Sequence, residues 1–183
     1  MSIWLAGVVP YEVVGVELML IEQSVRGAMI NSGTQFASGD TLILCLSDTP
    51  LNGWWRYLRL IHWLRNRYEI KLVVLCPEQI FLMNLFCGER IVWLNGEASL
   101  ASVSKCLCCA LKSKNKGIIE NSEENINDFW KSATTCLREV PSMEMNINFS
   151  KKSYVRRLSL LRKLNFDSMH SLRVFMSGMK TKV

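Results

Sequence analysis

The sequence predicts an α/β domain built on a doubly wound parallel sheet, followed by a small α-helical segment. Within the first 111 residues, apolar runs of strand length recur with hardly any polar alternation, which is typical of strands buried on both faces. A stretch long enough for a helix separates each run from the next, as in parallel sheets covered by helices. Beyond residue 111 the composition becomes polar and then basic, so the sheet is not expected to continue there.

Four apolar runs predict the main strands. The runs end, in chain order, at Pro10, at the turn-rich "SDTPLNG", at Pro77 and at Asn95-Gly96, because proline and turn residues interrupt regular strands. A weaker edge strand is expected around residues 28–37. The four runs, in chain order, are residues 3–9, 41–46, 70–75 and 90–94.

Helices are expected between and after these strands, where apolar residues recur at helical spacing. Between the second and third runs, Leu58, Ile61 and Leu64 give one such face. The resulting βα order is that of a flavodoxin-like domain of about 110 residues, in which ligands bind at the carboxyl ends of the strands. The four expected helices cover residues 11–23, 54–67, 79–87 and 98–111.

The charge is distributed unevenly along the chain. The formal net charge of the chain is +6. Residues 1–104 carry seven basic and nine acidic side chains, whereas residues 105–183 carry fifteen basic and seven acidic side chains. Residues 151–183 hold nine basic side chains and one acidic residue, Asp167. This asymmetry predicts a polyanionic partner such as nucleic acid. A solvated basic face with no partner is the alternative.

The seven cysteines follow no repeated spacing, which favours reduced thiols and a cytoplasmic location. Cys106, Cys108 and Cys109 lie close together, but they lack a nearby histidine or a second cysteine pair. We therefore expect no metal site and no cofactor. No apolar run reaches the length of about 18 residues that a membrane-spanning helix needs, so we expect no membrane partner.

Residues 1–111 resemble the receiver domain of bacterial response regulators of the NarL/FixJ (LuxR-type) class. The segments "VVPYEVVGVELML", "DTLILCLSDTPLNG", "IKLVVLC" and "GERIVWLNGEAS" carry this resemblance. They are similar to the first loop and helix, the phosphoacceptor strand with its turn, the fourth strand and the fifth strand of that family. The resemblance implies a flavodoxin-like, receiver-like domain over residues 1–111.

The chemistry of a receiver is missing at the matching positions. Gly7 and Val8 stand where carboxylates would hold Mg²⁺, and Cys45 stands where an aspartate would accept the phosphoryl group. Cys76 replaces the hydroxyl residue, and Asn95 replaces the lysine. The resemblance thus implies a phosphorylation-independent pseudo-receiver with no catalytic residue. We expect no carboxylate beside Cys45, and we expect its thiol to be packed as a small apolar side chain.

Residues 112–150 are polar and predict a linker with one helix near 126–139. In residues 151–183, "LNFDSMHSLRVFMSGMKTKV" resembles the start of a LuxR-type helix-turn-helix. Asn165 stands where the capping residue is expected, and Gly178 matches the turn glycine. An ordinary amphipathic helix ended by Gly178 is the alternative.

In the LuxR family the scaffold and recognition helices would follow Val183, so we expect a shortened DNA-binding region. Leu172, Val174, Phe175 and Met176 are then expected to lose most of the surface against which they would be buried. Phosphate contacts could still give weak, non-specific and salt-sensitive binding to DNA. The side chains expected to make them are Lys151, Lys152, Arg156, Arg157, Arg162, Lys163, Arg173, Lys180 and Lys182.

The resemblance extends to atypical regulators of enterobacterial capsule and fimbrial genes, which lack the acceptor and act in pairs. It implies a transcriptional regulator whose partners are DNA and another LuxR-type regulator, in a homodimer or heterodimer. The alternative is an interaction module that heterodimerises with a full-length regulator and modulates its DNA binding. An enzyme is a third possibility, but neither a glycine-rich phosphate loop nor a paired acid and base is present. His62 and His170 are far apart in sequence.

Overall fold

The chain divides into two compact units. The computed structural model describes residues 2–83, 90–113, 129–135 and 151–179. The first unit comprises Met1–Pro50 and Arg56–Glu120, and the second comprises Leu51–Trp55 and Asn121–Val183. The boundaries expected at residues 111 and 150 stay predictions.

The first unit is an alternating β/α structure. Its described strands are all parallel and lie in the order β2-β1-β3-β4-β5, which is the strand order of flavodoxin-like sheets. The predicted fold class is therefore confirmed. The edge strand expected around residues 28–37 is shorter and earlier than predicted, since the three-residue β2 ends at Met29. The elements are β1 (Ile3–Gly7), α1 (Pro10–Glu22), β2 (Gly27–Met29), β3 (Thr41–Cys45), α2 (Trp55–Arg67), β4 (Lys71–Cys76), α3 (Glu78–Leu82), β5 (Ile91–Asn95) and α4 (Leu100–Lys112).

The central strands explain why their sequences show no polar alternation. Every residue of β3 and of β4 is buried, as expected for strands covered on both faces. Helices α1 and α4 cover one face, since their buried residues join the inward-facing side chains of the strands in a single cluster. The cluster comprises Leu5, Val13, Val16, Leu20, Ile43, Cys45, Val73, Leu75, Leu94, Val103, Leu107 and Ala110.

Two charged side chains are buried at the amino-terminal edge of the sheet. Asp40 accepts hydrogen bonds from the backbone nitrogen of Ser2 (2.7 Å) and from Nε1 of Trp4 (3.0 Å). These hydrogen bonds hold the pKa of Asp40 below its ordinary value, and the bond from Trp4 has the largest effect. Lys71 donates from Nζ to the carbonyl oxygens of Ala110 (2.5 Å) and Ser113 (2.8 Å). Desolvation lowers the pKa of this lysine.

The second unit is helical where it is described. Residues 129–135 are helical, and α5 (Lys151–Lys163) and α6 (Met169–Phe175) follow. Phe175 is fully buried, and its ring makes edge contacts with Phe129 (centroids 6.0 Å apart) and Phe166 (5.3 Å apart). Within the described residues, no helix is both long and apolar enough to cross a bilayer.

Leu51–Trp55 belongs to the second unit although it lies in the sequence between β3 and α2. Gly53 donates its backbone N–H to the carbonyl oxygen of Val174 (3.0 Å), and Nε1 of Trp55 donates to that of Ser177 (2.8 Å). Trp54 is fully buried. This segment is thus hydrogen-bonded to the end of α6.

Candidate functional site

The positions that match the receiver chemistry lie together at the carboxyl edge of the sheet. Gly7 is the direct β-sheet partner of Cys45, and Cys76 is the direct partner of Asn95. Val8 follows β1 immediately and is 55% exposed. The structure therefore brings the five predicted positions to one rim, which is the place where doubly wound sheets bind ligands.

Gly7 leaves no room for a side chain at the rim. A Cβ atom on this residue would lie 2.6 Å from Cγ2 of Val13, 2.8 Å from the carbonyl oxygen of Cys45 and 2.9 Å from Cβ of Cys45. These distances are well inside van der Waals contact, so only glycine fits this close approach of backbones. A carboxylate could not be restored at position 7 without displacing β3 or α1.

Cys45 and Cys76, which we call the rim thiols, are both fully buried. Burial raises the pKa of each thiol to about 12, because the charged thiolate would lose its hydration. The Sγ of Cys76 lies 3.6 Å from the carbonyl oxygen of Leu94, to which it can donate. Burial therefore favours the protonated thiol at neutral pH and disfavours the thiolate that nucleophilic attack requires.

The expectation that no carboxylate lies beside Cys45 is wrong. Glu12, in the first turn of α1, extends to the end of β3, where its Oε1 accepts from the backbone nitrogen (2.9 Å) and from Oγ (2.6 Å) of Ser47. Its negative charge contributes to the raised pKa of both rim thiols. Glu97 adds to the effect at Cys76. Strand-end residues alone did not reveal Glu12, because its long side chain reaches the rim from a helix.

A cavity of about 250 Å³ lies beside Glu12, lined mainly by apolar side chains such as Met19, Leu75 and Val103. The Oε2 atom of Glu12 is buried and has no hydrogen-bond partner among the described residues. Gly96 closes another side of this cavity, where a Cβ atom would lie 1.6 Å from Oγ of Ser47. The cavity thus combines one carboxylate with a largely apolar wall.

These residues do not fit the Mg²⁺ ion that the resemblance to receivers would imply. Mg²⁺ requires about six oxygen ligands in octahedral geometry. Gly7 and the rim thiols offer no carboxylate, and Glu12 already accepts two hydrogen bonds from Ser47. In the described part of the chain, no group of three or more His, Cys, Asp or Glu side chains could hold a metal ion.

The residues expected to contact DNA are only partly described. Arg162 in α5 and Arg173 in α6 are exposed. Helix α5 includes five further basic residues whose side chains lie outside the described part of the structure. The last two basic residues of the chain also lie outside it. Those seven are Lys151, Lys152, Arg156, Arg157, Lys163, Lys180 and Lys182.

Two expectations about α6 are wrong. Ser168, not Asn165, caps the helix, since Oγ of Ser168 accepts from the backbone nitrogen of Ser171 (3.1 Å). Asn165 instead adopts a positive φ of 54° in the turn after α5, a conformation that asparagine tolerates. Three of the four apolar side chains are buried: Leu172 and Phe175 are fully buried, and Met176, just after α6, is 4% exposed, whereas Val174 is half-buried. The ring of Phe129 contacts Phe175, and the backbone of Gly53 is hydrogen-bonded to Val174.

Comparison with known proteins yields one distant structural likeness. No protein-family model matches the sequence, and no curated protein matches it. A solved structure of the RcsB response regulator of Salmonella typhimurium, concerned with its conformational dynamism for DNA interaction, is similar with 18% identity and a TM-score of 0.41. The alignment covers 94% of this chain and 96% of that one. The likeness is too distant to carry an argument about function.

Proposed function

We propose that this chain is a transcriptional regulator of the LuxR/NarL type, in which a pseudo-receiver acts without phosphorylation and a basic C-terminal unit contacts DNA. The crowding around Gly7 is the observation that carries the phosphorylation-independent part of the proposal, because it removes the place of a metal-binding carboxylate. The buried, protonated thiol of Cys45 supports it, since phosphoryl transfer needs an anionic oxygen at that position. The proposal assigns the chain no catalytic residue and no cofactor, and places it in the cytoplasm.

The loss of phosphorylation can be tested with a small phosphodonor. The folded chain is incubated with acetyl phosphate and Mg²⁺, and phosphorylated species are counted by intact-protein mass spectrometry. An active receiver domain treated in the same way serves as the positive control. We expect no stoichiometric labelling of the chain. Labelling that maps to Asp48, the exposed aspartate in the turn after β3, would contradict the proposal.

DNA binding is tested through the two exposed arginines whose side chains are described. The double variant Arg162→Gln/Arg173→Gln should weaken binding to a mixed-sequence duplex and reduce the slope of log K against log salt by about two. Arg26→Gln/Arg90→Gln is the matched control, because it removes the same charge from exposed positions of the first unit. Fluorescence anisotropy over a salt series measures both quantities. Equal losses in the two double variants would mean that net charge alone drives binding.

The alternative is an interaction module that pairs with a full-length regulator and changes the DNA binding of that regulator. Exposed apolar side chains on α1, among them Tyr11 and Leu18, favour this alternative. It predicts that the chain alone does not change the electrophoretic mobility of DNA, and that it alters the mobility shift caused by an added regulator. A specific, competitor-resistant shift by the chain alone would exclude the interaction-only function.

A further inference from the structure

The cavity beside Glu12, which we call the Glu12 cavity, has a polar end and an apolar body. Glu12 and Ser47 form the polar end, and no other described residue that lines the cavity has a polar side chain. Val16, Leu75 and Val103 form walls, and each of them is at most 5% exposed. The volume of about 250 Å³ suits a small organic molecule, since a drug-sized ligand normally needs about 300 Å³ or more.

The Glu12 cavity opens to solvent beside Leu100, a lining residue that is 70% exposed. Gly15 also lines the cavity, three residues after Glu12 and therefore on the same face of α1. A Cβ atom on Gly15 would meet nothing within 4 Å, so packing inside the chain does not require a glycine there. Glycine is disfavoured in the interior of a helix. Its presence leaves free space next to the carboxylate.

The polar end of the cavity offers hydrogen-bond acceptors. Oε2 of Glu12 is buried and has no partner among the described residues. Oγ of Ser47 donates its single hydrogen to Oε1 of Glu12 (2.6 Å), which leaves its lone pairs to accept. The backbone N–H of Gly96, another lining residue, already donates to the carbonyl oxygen of Cys76 (3.0 Å). A fitting ligand therefore supplies donors, because a buried carboxylate oxygen without a donor is destabilising.

We propose that the Glu12 cavity binds a small primary alkylamine in its protonated form, with the ammonium group at Glu12 and the alkyl chain among the apolar walls. An ammonium group has three N–H donors and no acceptor, which matches the polar end. No basic side chain lines the described part of the cavity, so nothing there repels a cation. A hydrogen bond between an ammonium and a carboxylate is stronger than one between neutral groups. A bare divalent metal ion fits less well, since it needs about six oxygen ligands.

An NMR titration of the isotope-labelled full chain with n-butylammonium chloride tests the inference at constant ionic strength. We expect saturable shifts of the backbone amide signals of Gly15, Ser47 and Gly96. The neutral analogue n-butanol should bind at least about tenfold more weakly, because it lacks the charge. Lengthening the amine from ethyl to butyl should strengthen binding by up to about fourfold for each methylene group, because each one is removed from water.

Substitution of Glu12 separates the two ends of the cavity. Glu12→Gln keeps the size of the side chain but removes its charge, so it should weaken n-butylammonium binding at least about tenfold and affect n-butanol much less. Glu22→Gln is the matched control, because it removes the same charge from an exposed position of α1 outside the cavity. Gly15→Leu is a second variant should Glu12→Gln fail to fold. Its side chain enters the cavity and should weaken the binding of both molecules. Circular dichroism establishes which variants are folded.

Three results would overturn the inference: a wild-type chain without saturable shifts at the solubility limit of the amine, n-butanol that binds as tightly as n-butylammonium, or a folded variant at Glu12 or Gly15 that binds the amine like the wild type. The amine site is independent of the proposed function. Its failure would leave the acetyl phosphate and DNA experiments unchanged, whereas phosphorylation of Asp48 would contradict the proposed function and not the amine site.

Discussion

Replacing Cys45 by aspartate tests whether position 45 is a core position or a latent acceptor site. The side chain is fully buried in the cluster between the sheet, α1 and α4, and the carboxylate of Glu12 lies close enough to raise the pKa of the thiol. Aspartate at this position would be a buried charge with no cationic partner among the described residues around it. Leaving a buried charge unpaired typically costs about 3–5 kcal/mol of the free energy of unfolding.

Cys45→Ala is the matched control, since it removes the sulfur without adding a charge and should cost about 1 kcal/mol. With an m-value of about 2 kcal/mol/M, the urea midpoint should fall by about 1.5–2.5 M for Cys45→Asp and by about 0.5 M for Cys45→Ala. Far-UV circular dichroism records both transitions.

The pH dependence of Cys45→Asp adds a second check. Burial and the charge of Glu12 both disfavour the ionised form, so the pKa of the introduced carboxyl should be higher in the folded state than in the unfolded state. Its protonated form is therefore tolerated at low pH, and stability falls as the pH rises through the folded-state pKa. The gap between the two variants should be larger at pH 8 than at pH 5. Equal midpoints at pH 8 would refute the view that position 45 is a sealed apolar site.

Three further predictions concern the titratable groups of the first unit. At pH 8, iodoacetamide should label Cys106 and Cys109 at least about tenfold faster than the rim thiols, because the rim thiols are buried with a pKa of about 12. Peptide mass spectrometry measures the labelling rates. Equal rates would contradict this prediction. Asp40→Asn should lower the free energy of unfolding by about 1–3 kcal/mol at pH 7 and by less near pH 2. The reason is that a carboxyl with a lowered pKa loses its contribution to stability as the pH falls through that pKa. Urea midpoints measured at the two pH values test this. The pKa of Lys71 is lower in the folded chain than in the unfolded chain, so the unfolded state binds more protons as the pH rises towards 10.5. The free energy of unfolding of the wild type should therefore increase over this pH range. Lys71→Met should lack this increase in urea titrations at alkaline pH.

The sheet could be predicted from the sequence because its central strands are buried on both faces. Burial on both faces produces unbroken apolar runs such as "LILCL" and "LVVLC", and these are easily recognised. The edge strand β2 was predicted only weakly. It has three residues, of which Ala28 and Met29 are exposed, so no hydrophobic pattern marks it.

The rim of the sheet was predicted less completely, because contacts distant in sequence determine its chemistry. The hydrogen bonds between Glu12 and Ser47 join residues 35 positions apart, and only the three-dimensional packing of α1 brings them together. The cap of α6 was misplaced for a local reason. Asn165 and Ser168 are both good capping residues three positions apart, and the sequence does not say which of them precedes the first turn.

The membership of Leu51–Trp55 in the second unit has a topological consequence. The polypeptide passes between the units three times: after Pro50, before Arg56 and after Glu120. No single proteolytic cut can therefore release one unit whole, and a fragment ending near residue 120 would retain Leu51–Trp55 without the rest of the second unit. Such a fragment should be prone to aggregation. Excision of the five-residue segment, with its two ends rejoined by a short polar bridge, is the rational route to an isolated sheet domain.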